Sequence, residues 1–86
     1  MDKNCFQNKV IIITGASSGI GLASARLFGS YGAKVVMAAR HLDKLEAEVP
    51  SVSPNPDNVL CVKTDVSREE DCKALIEKTV EKFGRI

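Results

Sequence analysis

Val10-Ile11-Ile12-Ile13 is an unbroken β-branched apolar run that stops at Thr14-Gly15. A strand with one wet face alternates apolar and polar residues. A continuous run predicts a strand buried on both faces, as in a parallel sheet sandwiched by helices. Ile20, Ala23, Leu27 and Phe28 then recur at i, i+3, i+7 and i+8, which predicts a helix with that stripe facing inward and Gly32 as its stop. Gly29 lies inside this helix at a propensity cost of roughly 1 kcal/mol relative to Ala, and the pattern gives it no role. Lys34-Val35-Val36-Met37-Ala38-Ala39 predicts a second strand. Leu42, Leu45 and Val49 share one face of a short helix that Pro50 is expected to break, and the segment 51–58 reads as loop. Val59-Leu60-Cys61-Val62 predicts a third strand, ending at Lys63-Thr64. Ser67 with Glu70 three residues later forms a capping-box pattern. It opens a third helix with Cys72, Leu75, Ile76, Thr79, Val80 and Phe83 on one stripe and Gly84 as its end. Arg85-Ile86 reads as the entry to a fourth strand.

The order β-α-β-α-β-α implies an α/β fold, a doubly wound parallel sheet with right-handed crossovers. Eighty-six residues make at most one domain. The chain is thus expected to be a single Rossmann-type unit over residues 1–86, with strand order 3-2-1, cut before its fourth strand. Twelve Lys and Arg against eleven Asp and Glu leave no basic excess for nucleic acid. The longest apolar run is far below the ~20 residues that span a bilayer, and the N-terminus has no apolar signal region. Cys5, Cys61 and Cys72 are scattered and His41 is the only histidine, so no metal site is expected. Reduced thiols and the missing signals together lead us to expect a cytoplasmic protein.

Chemistry concentrates in Thr14-Gly15-Ala16-Ser17-Ser18-Gly19-Ile20-Gly21, between the first strand and the first helix. Gly15 permits the sharp turn, Gly19 lets a pyrophosphate approach the backbone, and Gly21 allows close helix packing. The helix N-terminus adds free N–H groups and partial positive charge.

This segment resembles the short-chain dehydrogenases/reductases. Gly32-Ala33-Lys34-Val35-Val36, Ala39-Arg40, Thr64-Asp65-Val66-Ser67 and Phe83-Gly84-Arg85-Ile86 add to the resemblance, which covers nearly the whole chain. It implies that Gly15, Ser17, Ser18, Gly19, Ile20 and Gly21 wrap the cofactor's ribose and phosphates, that Asp65 bonds the adenine amino group, and that Val66 lines the adenine pocket. NAD-type sites carry an acid at the end of the second strand, whereas a nearby arginine accommodates a 2′-phosphate. By the family's spacing the acid position is Ala39, followed by Arg40, so NADP is expected over NAD. The family's Y-x-x-x-K pair is absent: Tyr31 is the only tyrosine, and Lys34 lies three residues on, not four. No catalytic residue is therefore expected here, and the chain alone is expected to be inactive. The resemblance implies hydride transfer between NADP(H) and a carbonyl or alcohol held by a C-terminal half, in a homo-oligomer, with no nucleic-acid or membrane partner. A non-catalytic nucleotide-binding module is the alternative.

Overall fold

The computed structural model describes residues 9–16 and 19–84. Three strands, β1 (Val10–Thr14), β2 (Lys34–Ala39) and β3 (Val59–Lys63), alternate with three helices, α1 (Gly19–Ser30), α2 (Leu42–Val52) and α3 (Glu69–Phe83). The strands form one parallel sheet in the order β1-β2-β3, which is 3-2-1 read from the other edge. Ile12 pairs with Val36, and Val36 with Leu60. The entry to a fourth strand at Arg85 and Ile86 lies outside the described residues, as does Cys5.

Side chains alternate across a strand, and the two faces of the sheet divide by parity. Odd-numbered Val35, Met37 and Val59, with Ile11 and Ile13, pack under α1 and α2 together with Ala25, Leu45 and Val52. Even-numbered Val36, Ala38 and Val62, with Val10, Ile12 and Leu60, meet α3 through Leu75. Central β2 supplies both cores, and its residues 35–38 are all buried. β1 is only half-buried along residues 10–13, because it forms an edge of this sheet.

Three details of the helices depart from the sequence pattern. In α1 the inward residues are Ala25 and Gly29, with Leu22 and Phe28 beside them, while Ile20 is 87% and Leu27 52% exposed. The cause is steric. A Cβ on Gly29 would strike the backbone carbonyl oxygen of Val52, at the end of α2. The helix turns its smallest residues inward so that backbone can meet backbone, and an apolar count gives glycine no weight. In α2, Pro50 does not end the helix, which runs on to Val52. Proline's fixed φ is compatible with a helix, and its missing ladder bond and the crowding by its ring fall in the last turn of α2. The last turn is closed by the Ser53 N–H donating to the Val49 carbonyl at 3.1 Å and by Ser51 Oγ donating to the Glu48 carbonyl at 2.8 Å. In α3, Leu75 and Thr79 face inward, but Ile76 and Val80 are 47% and 45% exposed on its flank, so the apolar stripe is wider than the face it covers. Thr79 is accommodated because its hydroxyl donates to the Leu75 carbonyl at 2.8 Å. The expected stops hold: Gly32 and Gly84 sit at φ 86° and 78°.

Gly29→Ala should destabilise the fold. Overpacking against a fixed carbonyl costs about 1–3 kcal/mol, occasionally more, against the roughly 1 kcal/mol by which Ala favours a helix. The urea midpoint should fall; an unchanged or raised midpoint would contradict the close α1–α2 crossing.

Candidate functional site

Parallel pairing places the C-terminal ends of all three strands along one edge, with Thr14 beside Ala38 and Ala39 beside Lys63. Ligands of open α/β sheets bind beyond this edge. Here a cavity of about 420 Å³ opens, walled by Thr14 and Gly15 after β1, by Ala38 to His41 at the end of β2, and by Thr64 and Val66 after β3. A smaller cavity of about 240 Å³ shares Arg40 and Thr64 and adds Lys63, Asp65, Arg68 and Asp71.

The turn after β1 is held by backbone. The Ala16 N–H donates to the Ala38 carbonyl at 3.2 Å, extending the β1–β2 ladder past the strand end. Gly15 and Gly19 adopt φ of 64° and 59°, a left-handed conformation that disfavours any side chain. Among the described residues a Cβ on either would meet nothing within 4 Å. Gly21 differs: a Cβ there would run into the Gly15 carbonyl, whose carbon would be 2.8 Å away. Its closest constraint is thus the turn itself rather than the sheet. Ile20 points to solvent, and neither it, Gly19 nor Gly21 walls the two cavities. Ser17 and Ser18 lie outside the described residues.

Arg40, Asp65 and Val66 do come together. Ala39 ends β2 without a carboxylate, and the exposed Arg40 guanidinium that follows lies 3.8 Å from Asp65 Oδ1. The same oxygen accepts from the Ser67 backbone N–H at 3.0 Å and from Ser67 Oγ at 2.6 Å. These two bonds, the hydroxyl first, hold the Asp65 carboxyl below its ordinary value of 3.8; partial burial opposes them, and Arg40 and Arg68 add smaller attractions. A depressed pKa means that this stabilisation is present above the ordinary value and is lost only as pH falls through the lower, folded one. Ser67 is therefore not the helix cap its spacing with Glu70 predicted. The residue before α3 is Arg68, which makes no side-chain cap, and Ser67 turns its hydroxyl to Asp65 instead.

Thr64 and His41 are among the wall residues that had no role in the sequence reading. Thr64 is 2% exposed; its N–H donates to the Ala39 carbonyl at 2.8 Å, tying the ends of β2 and β3. His41 was weighed only as a metal ligand, though its place directly after Arg40 was the available signal. Among the described residues no group of three His, Cys, Asp or Glu side chains could hold a metal. Cys61 and Cys72 are free thiols, and burial, with Glu46 adding to it, pushes the Cys61 thiol up, away from reactivity. Lys34 begins β2. It therefore stands at the opposite end of the strand from Arg40, about 20 Å away at strand rise, and Tyr31 precedes it on that side.

Comparison with known proteins gives the family. The short chain dehydrogenase family model matches residues 9–86. An uncharacterised oxidoreductase of Listeria monocytogenes is 50% identical over 80 residues, 93% of this chain and 32% of that protein. Among solved structures, a 3-ketoacyl-(acyl-carrier-protein) reductase from Brucella melitensis complexed with NADH aligns with TM-score 0.85 at 37% identity, over 94% of this chain and 32% of that one. The C-domain of a bacterial malonyl-CoA reductase with NADP aligns with TM-score 0.89 at 33% identity, over 98% and 14%. The chain belongs to the short-chain dehydrogenases, a family of oxidoreductases that bind a nicotinamide dinucleotide. It spans about a third of the length of the two Listeria relatives it matches.

Ser67→Ala should raise the Asp65 carboxyl pKa, since it deletes the shorter of the two Ser67 bonds. A carboxyl-detected NMR titration reads this directly; an unmoved midpoint would mean that the hydroxyl does not hold the carboxylate.

Proposed function

We propose that this chain is the cofactor-binding part of an NADP-dependent short-chain dehydrogenase/reductase, which moves a hydride between NADP(H) and a carbonyl or alcohol substrate. The observation that carries the cofactor choice is the end of β2: Ala39 offers no carboxylate and Arg40 stands next on the cavity wall. An acid there would hold a ribose 2′-hydroxyl and repel a 2′-phosphate, whereas a guanidinium attracts the phosphate with a forked pair of donors. The rest of the edge fits such a cofactor. No described residue stands against the positions that side chains on Gly15 and Gly19 would take, and the first turn of α1 offers backbone N–H groups to phosphates. Ser17, Ser18, Ile20 and Gly21 complete the same loop, with Ser17 adding a hydroxyl. Across the cavity, Val66 lies against adenine and Asp65 accepts from its amino group. Asp65 Oδ1 is occupied by Ser67 and Arg40, while Oδ2 has no partner among the described residues and remains to receive the base.

A bound nicotinamide dinucleotide would donate the hydride to a carbonyl or accept it from an alcohol; these residues bind and orient it. The proton-transferring tyrosine and lysine of the family are not among these 86 residues, so the chain alone is taken to be inactive. A cytoplasmic placement belongs to this proposal, resting on the thiols taken as reduced; no described helix is long and apolar enough to cross a membrane. A homo-oligomeric state belongs to the same proposal. The resemblance to the family supports it; the isolated 86 residues should in addition self-associate through β1, an edge of this sheet whose five residues carry no charge.

Arg40→Asp should reverse the cofactor preference. Charge-assisted hydrogen bonds contribute about 1.5–3 kcal/mol, so NADP should weaken by about tenfold or more while NAD holds or gains. Paired dissociation constants from cofactor fluorescence decide; an unchanged NADP/NAD ratio would remove Arg40 from the site.

A light-scattering concentration series on the isolated chain tests the edge: mass should rise with concentration. A strict monomer at high micromolar concentration would contradict that self-association.

A further inference from the structure

Asp65 is held at its backbone as well as at its carboxylate. A side chain at the third position of a helix commonly reaches back to the N–H of the residue that precedes the helix. Asp71 holds that position in α3, and Arg68 is the preceding residue. The Arg68 N–H, however, already donates to the Asp65 carbonyl at 2.9 Å, closing a turn. Asp71 reaches past it: its Oδ2 accepts the Asp65 N–H at 2.9 Å, six residues back. Asp71 is half-buried and walls the smaller cavity with Asp65 and Arg40. Its helix is anchored to the sheet by Leu75, one turn further on. The Asp65 peptide is thus tied to a packed element, its Oδ1 is committed to Ser67, and its Oδ2 has no hydrogen-bond partner among the described residues.

We propose that Asp71 is a positioning residue for recognition of the adenine base: its bond to the Asp65 N–H fixes the placement of the carboxylate that accepts from the 6-amino group. The proposal rests on the reading of Asp65 given above. Recognition of a single donor demands placement to about 0.5 Å, which a group on a free loop does not keep and a group tied to a packed helix does. Without Asp71 the Asp65 N–H loses its acceptor, the residue can turn about its own backbone, and the carboxylate turns with it.

The test compares binding of NADPH with its hypoxanthine analogue, in which a carbonyl replaces the 6-amino donor. Dissociation constants are read by cofactor fluorescence for the wild type and for Asp71→Asn, Asp71→Ala and Asp71→Ser. The wild type should prefer the adenine form by about tenfold or more, the ratio that a hydrogen bond to a charged group supplies. Asp71→Asn keeps an acceptor oxygen and should keep the preference. Asp71→Ala has no acceptor and Asp71→Ser is too short to reach, so both should lose most of it; Ser also covers the case in which Ala does not fold. Preference retained in Ala or Ser, whatever happens to the thermal midpoint, would reduce Asp71 to a structural role and overturn the proposal. A wild type without any preference would instead remove Asp65 from adenine recognition, and the role of Asp71 with it.

Discussion

A carbonyl oxygen pressed against a helix decides much of this molecule. The Gly15 carbonyl occupies the space that a Cβ on residue 21 would need, so α1 leaves the sheet edge at backbone distance from the turn that starts it. The same turn continues the sheet ladder through Ala16, whose N–H reaches the Ala38 carbonyl. Together these contacts fix where α1 points and hold Gly15 and Gly19 in left-handed conformations, where a Cβ would meet no described residue within 4 Å. A second close approach, between Gly29 and the Val52 carbonyl, sets the far end of the helix against α2. Two glycines eight residues apart therefore determine the pose of α1, and that pose turns Ile20 and Leu27 outward.

The strand alternation was legible because its cause is local. β-branched runs with sharp turn residues between them specify β1, β2 and β3, and the parity of their side chains allots them to two cores. Helix rotation was less legible. The apolar stripe of α1 pointed inward through Ile20 and Leu27, whereas the residues that face the core are Ala25 and Gly29. Periodicity weighs hydrophobicity, but the packing here is governed by lack of volume. Pro50 misled in the opposite sense: near a helix end its missing N–H forfeits one bond, and Ser51 and Ser53 close the turn regardless.

Within the site, single residues in a glycine loop or at a strand end could be read, and pairings could not. Arg40 and Asp65 are 25 positions apart in sequence; only the parallel register brings the ends of β2 and β3 side by side and leaves the two charges 3.8 Å apart. Ser67 and Glu70 had the spacing of a cap, but the turn after β3 directs Ser67 to Asp65 and gives the backward reach to Asp71. The choice depends on which N–H groups the turn has already satisfied, and spacing alone does not carry that information. His41 and Thr64 entered the wall for a similar reason: the cavity is made by three segments that meet only after folding.

The central claim is that the edge formed by the three strand ends receives a dinucleotide. Amide NMR of the isotopically labelled chain, titrated with NADP⁺, tests it most directly. Saturable shifts should fall on Gly15, Ala16, Gly19, Gly21, Arg40, His41 and residues 64–66, and leave Lys34, Leu60 and Lys82 unmoved. Shifts centred on that second group, or none at millimolar cofactor, would contradict it.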